Sequence, residues 1–222
     1  MSASAITWTD IANLSLAMIN QERLDSIDDD TQLAQRIRDM RLQIVTEVLE
    51  EHDWGSATKR ATLSQKAGTP VGLYLQHFVL PSDLVRLTAV WNYSTSDLGV
   101  ESHGGPYRHD WKEEQATLYV GERTNPWPSA DLSGATEKVA VAYVAYTETD
   151  LGLWKPGLRR CIALKLAIEL SIGTTGDVNY SKLLEGRFQR ALRRAQTLDT
   201  SMEGASLHRY SNDDHQFHHG GG

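Results

Sequence analysis

The spacing of hydrophobic residues changes twice along the chain, and that change constrains the fold more than any single motif. At both ends apolar side chains recur every three or four positions, the repeat of a helix face. Between them, residues 56–149 break into short runs rich in Val, Tyr, Trp, Leu and Thr. A chain that begins helical, turns to strands and ends helical belongs to the α+β class. The runs ATLSQ, LYLQHFVL, LVRLTAVWNY, ATLYVG and EKVAVAYVAYT predict the strands, separated by clusters of Gly, Pro, Asn, Asp and Ser. Pro81-Ser82-Asp83 predicts a turn, and residues 94–110 and 124–134 predict exposed loops.

Four helices are predicted around this middle. The first covers about residues 9–23, with Thr7 or Thr9 as cap, Asp10 in its first turn, and Trp8, Ile11, Ala12, Ser15, Met18 and Ile19 on one face. The second covers about 31–52, where Leu33, Ile37, Met40, Ile44 and Val48 form a stripe that Ala34, Val45 and Leu49 widen. Asp28, Asp29 and Asp30 stand before it and are expected to cap its free N–H groups; Gly55 stops it, and Trp54 folds back onto it. The third helix starts with Pro156 in the first helical position and runs to about Ile172. It is apolar on several sides, as a helix with neighbours all round must be. The fourth is capped by Asp177, carries Tyr180, Leu184, Phe188, Ala191, Ala195, Leu198 and Met202 on its stripe, and ends at Gly204. Arg187, Arg190, Arg193 and Arg194 lie off that stripe. The expected architecture is an antiparallel four-helix bundle (residues 1–55 and 150–204). An antiparallel β-lobe (56–149) is inserted between helices 2 and 3, and a flexible C-terminal tail (205–222) follows.

Composition narrows the functional classes. With 40% apolar and 23% charged residues the chain is of the ordinary globular kind. Its longest apolar stretches are too short or too interrupted to span a bilayer, so no membrane association is expected, and the N-terminus lacks the basic and apolar regions of a secretory signal. Cys161 is the only cysteine, which excludes disulfide frameworks and cysteine-based metal sites. The net charge is −7, unevenly spread: residues 1–54 hold 4 basic and 11 acidic side chains, residues 155–195 hold 9 basic and 3 acidic. Opposite ends of opposite sign suit helices that pack on one another or on copies of themselves. The acidic total opposes tight wrapping by nucleic acid.

No catalytic motif stands out. Phosphate-binding loops, dinucleotide fingerprints, nucleophile elbows and zinc-protease helices are all missing, and no metal or cofactor is expected. Adjacent Asp28, Asp29 and Asp30 point in different directions, which suits capping better than a cation. The tail histidines His215, His218 and His219, and His103 and His109 in a loop, are read as polar surface. Glu101, Glu113 and Glu114 can be nominated for glycan hydrolysis, since two such acids need not be close in sequence, but nothing singles them out. Trp127 sits between Pro126 and Pro128 in a polar loop. That stiff presentation suits an interface anchor and equally a loop packed back on its own lobe.

Several local signatures follow one another in a familiar order. Asn13-Leu14 lies in the first helix, Ile27-Asp28-Asp29 in the connector, and Trp54-Gly55-Ser56-Ala57 after the second helix. Leu80-Pro81-Ser82-Asp83-Leu84-Val85-Arg86-Leu87 leads into a strand, VAYVAYTE precedes the Pro156 helix, and FQRALRRAQ lies in the closing helix. In this the chain resembles the tail tubular protein A family, the head-to-tail adaptors of short-tailed phages, over everything but the tail. Asn20 stands where that family closes its first helix with Gly, and Gly55 and Ser56 replace an aromatic beside the Trp. Asn tolerates the left-handed conformation next best after Gly.

The resemblance implies a non-catalytic ring of identical subunits, twelve in the family, located in the virion neck. Such a ring sits between the portal protein and a tail nozzle, and double-stranded DNA passes through its lumen without sequence recognition. In that setting Leu207, Arg209, Tyr210 and Phe217 of the tail are the expected portal-docking residues and Trp127 the expected nozzle-facing one. The alternative function is a tail-associated glycan hydrolase acting through carboxylates of the β-lobe.

Overall fold

The computed structural model describes residues 6–68, 74–95, 101–103, 111–122, 138–146, 151–174 and 178–212. It is mixed α+β, with four α-helices and two small antiparallel sheets among those residues. The chain divides into two compact units: a helical unit of residues Met1–Ala57 and Thr147–Gly222, and a strand unit of residues Thr58–Tyr146.

In the helical unit, α1 (Trp8–Met18) opens on a capping box. Thr7 Oγ1 accepts from the Asp10 N–H at 3.3 Å, and the Asp10 carboxylate accepts from the Thr7 N–H at 2.8 Å. These bonds, the Thr7 backbone N–H foremost, hold the Asp10 carboxyl below its usual range. The helix stops well before residue 23 because Asn20 turns left-handed, with φ 55°, and the Gln21 N–H returns to the Leu16 carbonyl at 3.0 Å. The expected role of Asn20 is thus the observed one.

Asn13 explains the signature it belongs to. It is buried on α1, donates to the Leu24 carbonyl at 2.9 Å and accepts from the Leu24 N–H at 2.8 Å. One amide side chain thereby satisfies both backbone groups of a residue in the connector. Asn13→Ala should destabilise the helical unit by about 1–3 kcal/mol, because both Leu24 groups lose their partner; urea unfolding measures it.

The second helix, α2 (Gln32–Glu50), is capped by Thr31, whose Oγ1 accepts from the Ala34 N–H at 3.2 Å. The aspartates expected to cap it do not. Asp29 instead closes a turn by accepting from the Ser26 N–H at 3.0 Å, and Thr31 is the residue one position before the first helical turn. The connector is further held by Arg38, which donates to the Asp29 carbonyl at 3.0 Å, while Ile27 is buried. After α2 a short 3-10 turn (Gly55–Ala57) follows Trp54, which is buried and donates its indole N–H to the Val48 carbonyl at 2.9 Å.

The third helix, α3 (Pro156–Thr174), packs against α1, α2 and α4 (Val178–Asn212). Its buried residues Leu158, Ile162, Leu166, Leu170, Cys161 and Leu164 cover several faces, as expected of a helix with three neighbours. The approach to α4 is close where small residues meet: a Cβ on Gly157 would lie 3.0 Å from the Cβ of Ala195. α4 does not end at Gly204 but continues to Asn212. A single glycine costs a helix interior only about 1 kcal/mol relative to alanine, and Met202, Glu203, Ala205, Leu207 and Arg209 are compatible with helix on either side.

In the strand unit, β1 (Thr58–Leu63), β7 (Lys138–Ala145), β3 (Leu84–Thr95) and β4 (Glu101–His103) lie side by side in that order, all antiparallel. A second sheet orders β2 (Tyr74–Val79), β6 (Thr117–Glu122) and β5 (Trp111–Glu114). One core serves both: Leu63, Leu87, Val90, Val139, Val141 and Tyr143 from the first sheet meet Phe78, Leu118 and Val120 from the second. The segment 94–110, expected as a loop, includes β4 within its described residues. β5 carries no strand signature of its own, since after a half-buried Trp111 come three exposed charged residues with no alternation of apolar and polar positions.

Asp83 makes sense of the Leu-Pro-Ser-Asp signature. The Leu84 N–H returns to the Pro81 carbonyl at 3.2 Å to form the expected turn. The Asp83 carboxylate then takes the Lys59 ammonium of β1 at 3.0 Å and the Tyr143 hydroxyl of β7 at 3.2 Å. Its carbonyl accepts the Tyr146 N–H at 3.0 Å. One residue at the start of β3 therefore ties together the three longer strands of the larger sheet.

Candidate functional site

The helical unit places its chemistry on α4, which has two differently built faces. The inner face carries Leu184, Phe188, Leu192, Ala195 and Asp199. The sequence stripe is right at Leu184, Phe188 and Ala195 but not at Ala191 or Leu198. Leu192 rather than Ala191 is the buried residue of its turn, and Leu198 is 56% exposed while Asp199 beside it is 1% exposed. Successive helix positions are about 100° apart, so a stripe read one residue off exchanges inward for outward.

Asp199 is a buried carboxylate with its partners in place. The Lys155 ammonium lies 2.5 Å from Oδ1, and the Gly55 N–H donates to Oδ2 at 2.6 Å. His52 Nε2 stands 3.7 Å from Oδ2, an ion pair whenever the imidazole is protonated, and the His52 ring meets Trp54 edge-on at 5.1 Å. The next backbone group is also held, the Lys155 N–H donating to Ser56 Oγ at 3.3 Å. Asp199 thus joins α4 to the turn after α2 and to the entry of α3. The arrangement is one of cross-bracing. Sequence reading missed it because a lone aspartate on a polar helix normally faces solvent.

The outer face of α4 is basic. Leu183, Arg187, Arg190, Arg194 and Leu198 recur at spacings of 4, 3, 4 and 4, and all are exposed. Arg187, Arg190 and Arg194 have no ion-pair partner among the described residues.

Beside it, a cleft of about 340 Å³ is lined by Glu47, Val48, Glu50, Glu51, Lys165 and Phe188. Within the cleft Glu47 pairs with Lys165 at 3.1 Å, and the Lys165 ammonium sits 5.9 Å from the centre of the Phe188 ring. A hydrogen bond from Gln43, with Lys165 next in importance, holds the Glu47 carboxyl below its usual range. A second, more apolar cleft of about 240 Å³ lies among Ile6, Asp10, Ile11, Leu14, Pro156, Arg159 and Arg160.

Of the nominated carboxylates, Glu113 and Glu114 do not come together. Glu113 and Glu114 are neighbours on β5, so their side chains leave opposite faces of the sheet. Glu113 has its carboxyl raised by partial desolvation, whereas Glu114 pairs with Lys112 at 3.2 Å. Glu101 lies on β4. Cys161 is buried, and that burial pushes its thiol up to about 11, which leaves it protonated and unreactive in the native state. Leu207, Arg209 and Tyr210 fall on the last turns of α4. Phe217, Trp127, His109, His215, His218, His219 and Asp177 lie outside the described residues.

Among the described residues, no group of His, Cys, Asp and Glu could hold a metal ion, and no helix is long and apolar enough to cross a membrane. Compared with protein-family profiles and with curated proteins, the sequence matches none.

Proposed function

We propose that this chain is a structural subunit of a phage head-to-tail adaptor. Identical copies form a ring, of twelve by analogy with the family it resembles, in the virion neck. The ring joins a portal protein to a tail nozzle, and duplex DNA passes through its lumen without sequence recognition. In this reading α1 to α4 form an antiparallel four-helix bundle, and the strand unit is a lobe inserted between α2 and α3. The role is architectural, with no catalysis and no cofactor.

The observation that carries the reading is the physical use of the ordered signatures. Asn13 fastens the connector after α1, Asn20 ends α1 left-handed, and Asp83 locks three strands. Asn13 and Asp83 belong to the signatures by which the sequence resembles the adaptor family, and Asn20 stands where that family has Gly. An α3 covered by three helices, and an α4 whose outer face is charged and free of described ion pairs, add support.

Negative-stain imaging of the purified chain at high concentration, alone and with portal rings, tests the proposal. Rings seated coaxially on the portal are expected; a chain that ignores both its own copies and the portal contradicts it. The end of α4 and the residues after it, with Leu207, Arg209, Tyr210 and Phe217, are proposed to dock on the portal, and Trp127 to face the nozzle. Removing residues 205–222 should cost the circular dichroism only the last turns of α4 and abolish neck assembly. Unimpaired assembly would dismiss the docking role.

The raised carboxyl of Glu113 is the one observation that favours a glycan hydrolase instead. That alternative requires turnover of a polysaccharide by the wild-type chain, lost in Glu113→Gln.

A further inference from the structure

We propose that the Leu183–Arg187–Arg190–Arg194–Leu198 face of α4 seats on the acidic outer face of α2 in a second copy of the chain. The proposal deepens the adaptor reading, on which closure of the contact into a ring rests.

The first argument is the composition of the two faces. Leu183 is 47% exposed and Leu198 is 56% exposed, one at each end of a row of three arginines. An apolar side chain at either end with cations between them is the make-up of a helix-to-helix seam, in which leucines pack and charges select the partner. A duplex-binding surface would not need the leucines, because phosphate contacts are made by the cations.

The second argument is charge complementarity. On α2, Asp39, Leu42 and Glu50 are exposed, with Thr46 half-buried on the same face and Glu51 just past the helix end. Leu42 is 59% exposed. Asp39, Leu42, Thr46 and Glu50 recur at 3, 4 and 4, the same repeat as on α4, with the opposite sign of charge. Glu47 is already paired with the Lys165 ammonium and is not counted, whereas Asp39 accepts from the neutral Gln35 amide and keeps its charge unpaired among the described residues.

The two faces are different patches of one chain. Their contact is therefore heterologous, each copy offering α4 to one neighbour and α2 to the other, and repetition of such a contact gives a ring or a filament. The same acidic patch that welcomes α4 would repel a nucleic acid lying across the unit, which favours a second copy over DNA as the occupant.

The test uses two surface variants of the full chain. One is Arg187→Glu/Arg190→Glu/Arg194→Glu and the other Asp39→Arg/Glu50→Arg/Glu51→Arg, each checked for native circular dichroism. Sedimentation velocity over a concentration series reads self-association, alone and on portal rings. Either variant alone should associate at least about tenfold more weakly than wild type, since like charges then face each other. An equimolar mixture of the two should recover to within about threefold, because each reversed α4 now meets a reversed α2.

Wild-type-like association of the α4 variant would overturn the proposed seam and leave the adaptor reading standing. A wild-type chain that stays monomeric at every concentration, even on the portal, would overturn both. Salt-sensitive binding of duplex DNA that is lost in the α4 variant, with self-association unchanged, would assign the face to nucleic acid and overturn the proposal.

Discussion

Asp199→Ala should lower the stability of the helical unit by about 3 kcal/mol, near the low end of the cost of breaking a buried ion pair. The residue is 1% exposed and accepts from Lys155 at 2.5 Å and from the Gly55 N–H at 2.6 Å. Alanine leaves an ammonium and a backbone N–H without their acceptor. The effect stays toward the lower end because the Lys155 side chain is 37% exposed and can recover water. Asp199→Asn keeps an acceptor for Gly55 but removes the charge, so a loss of about 1–2 kcal/mol is expected. Urea unfolding followed by tryptophan fluorescence distinguishes the two variants. Trp54 reports directly, since its ring touches His52 in the same cluster. A loss below about 0.5 kcal/mol for the alanine variant would mean that the carboxylate is no better held than a surface pair.

Phe78→Ala should destabilise the strand unit by about 4 kcal/mol, the usual cost of emptying a buried phenylalanine site. Phe78 is 1% exposed and, among the described side chains, is the largest fully buried one of the three-stranded sheet. It stands opposite Leu118 of β6 and packs in the core that also holds Leu63, Val139 and Val141 of the larger sheet. A sheet of three short strands, one of them almost wholly polar, has little else to bury. The loss should appear in near-UV circular dichroism and as early exchange of β2 and β6 amides. A variant that unfolds like wild type would show that the two sheets do not share a core.

The helices were legible in the sequence because their signals are local. Thr7 with Asp10, the Ile37–Ile44–Val48 stripe and Pro156 at a first helical position each depend on residues within one or two turns. Asn20 was legible for the same reason, since few residues tolerate a left-handed turn. What failed depends on partners far along the chain. Asp199 is buried only because Lys155 and Gly55, 44 and 144 residues away, bring it a cation and an N–H. β5 has no pattern of its own and exists by pairing with β6. Asp28, Asp29 and Asp30 invited a capping role that Thr31, better placed by one position, holds instead. At Gly204 the expected stop was too weak to outweigh helix-compatible residues on both sides.

The same distinction holds for the surfaces. That residues 155–195 are basic and residues 1–54 acidic was plain from the sequence. So was the placing of Arg187, Arg190, Arg193 and Arg194 off the buried stripe, and all four are exposed; that Leu198 faces outward with them was not. It followed only once Leu184, Phe188, Leu192, Ala195 and Asp199 had fixed the inner side of α4.

The most direct measurement of the central claim is the position of this chain in intact phage particles, read by electron microscopy with a gold-labelled antibody against it. The account predicts label at the single vertex where the capsid meets the tail. Label on the capsid shell, at the far tip of the tail, or absent from purified particles would contradict it.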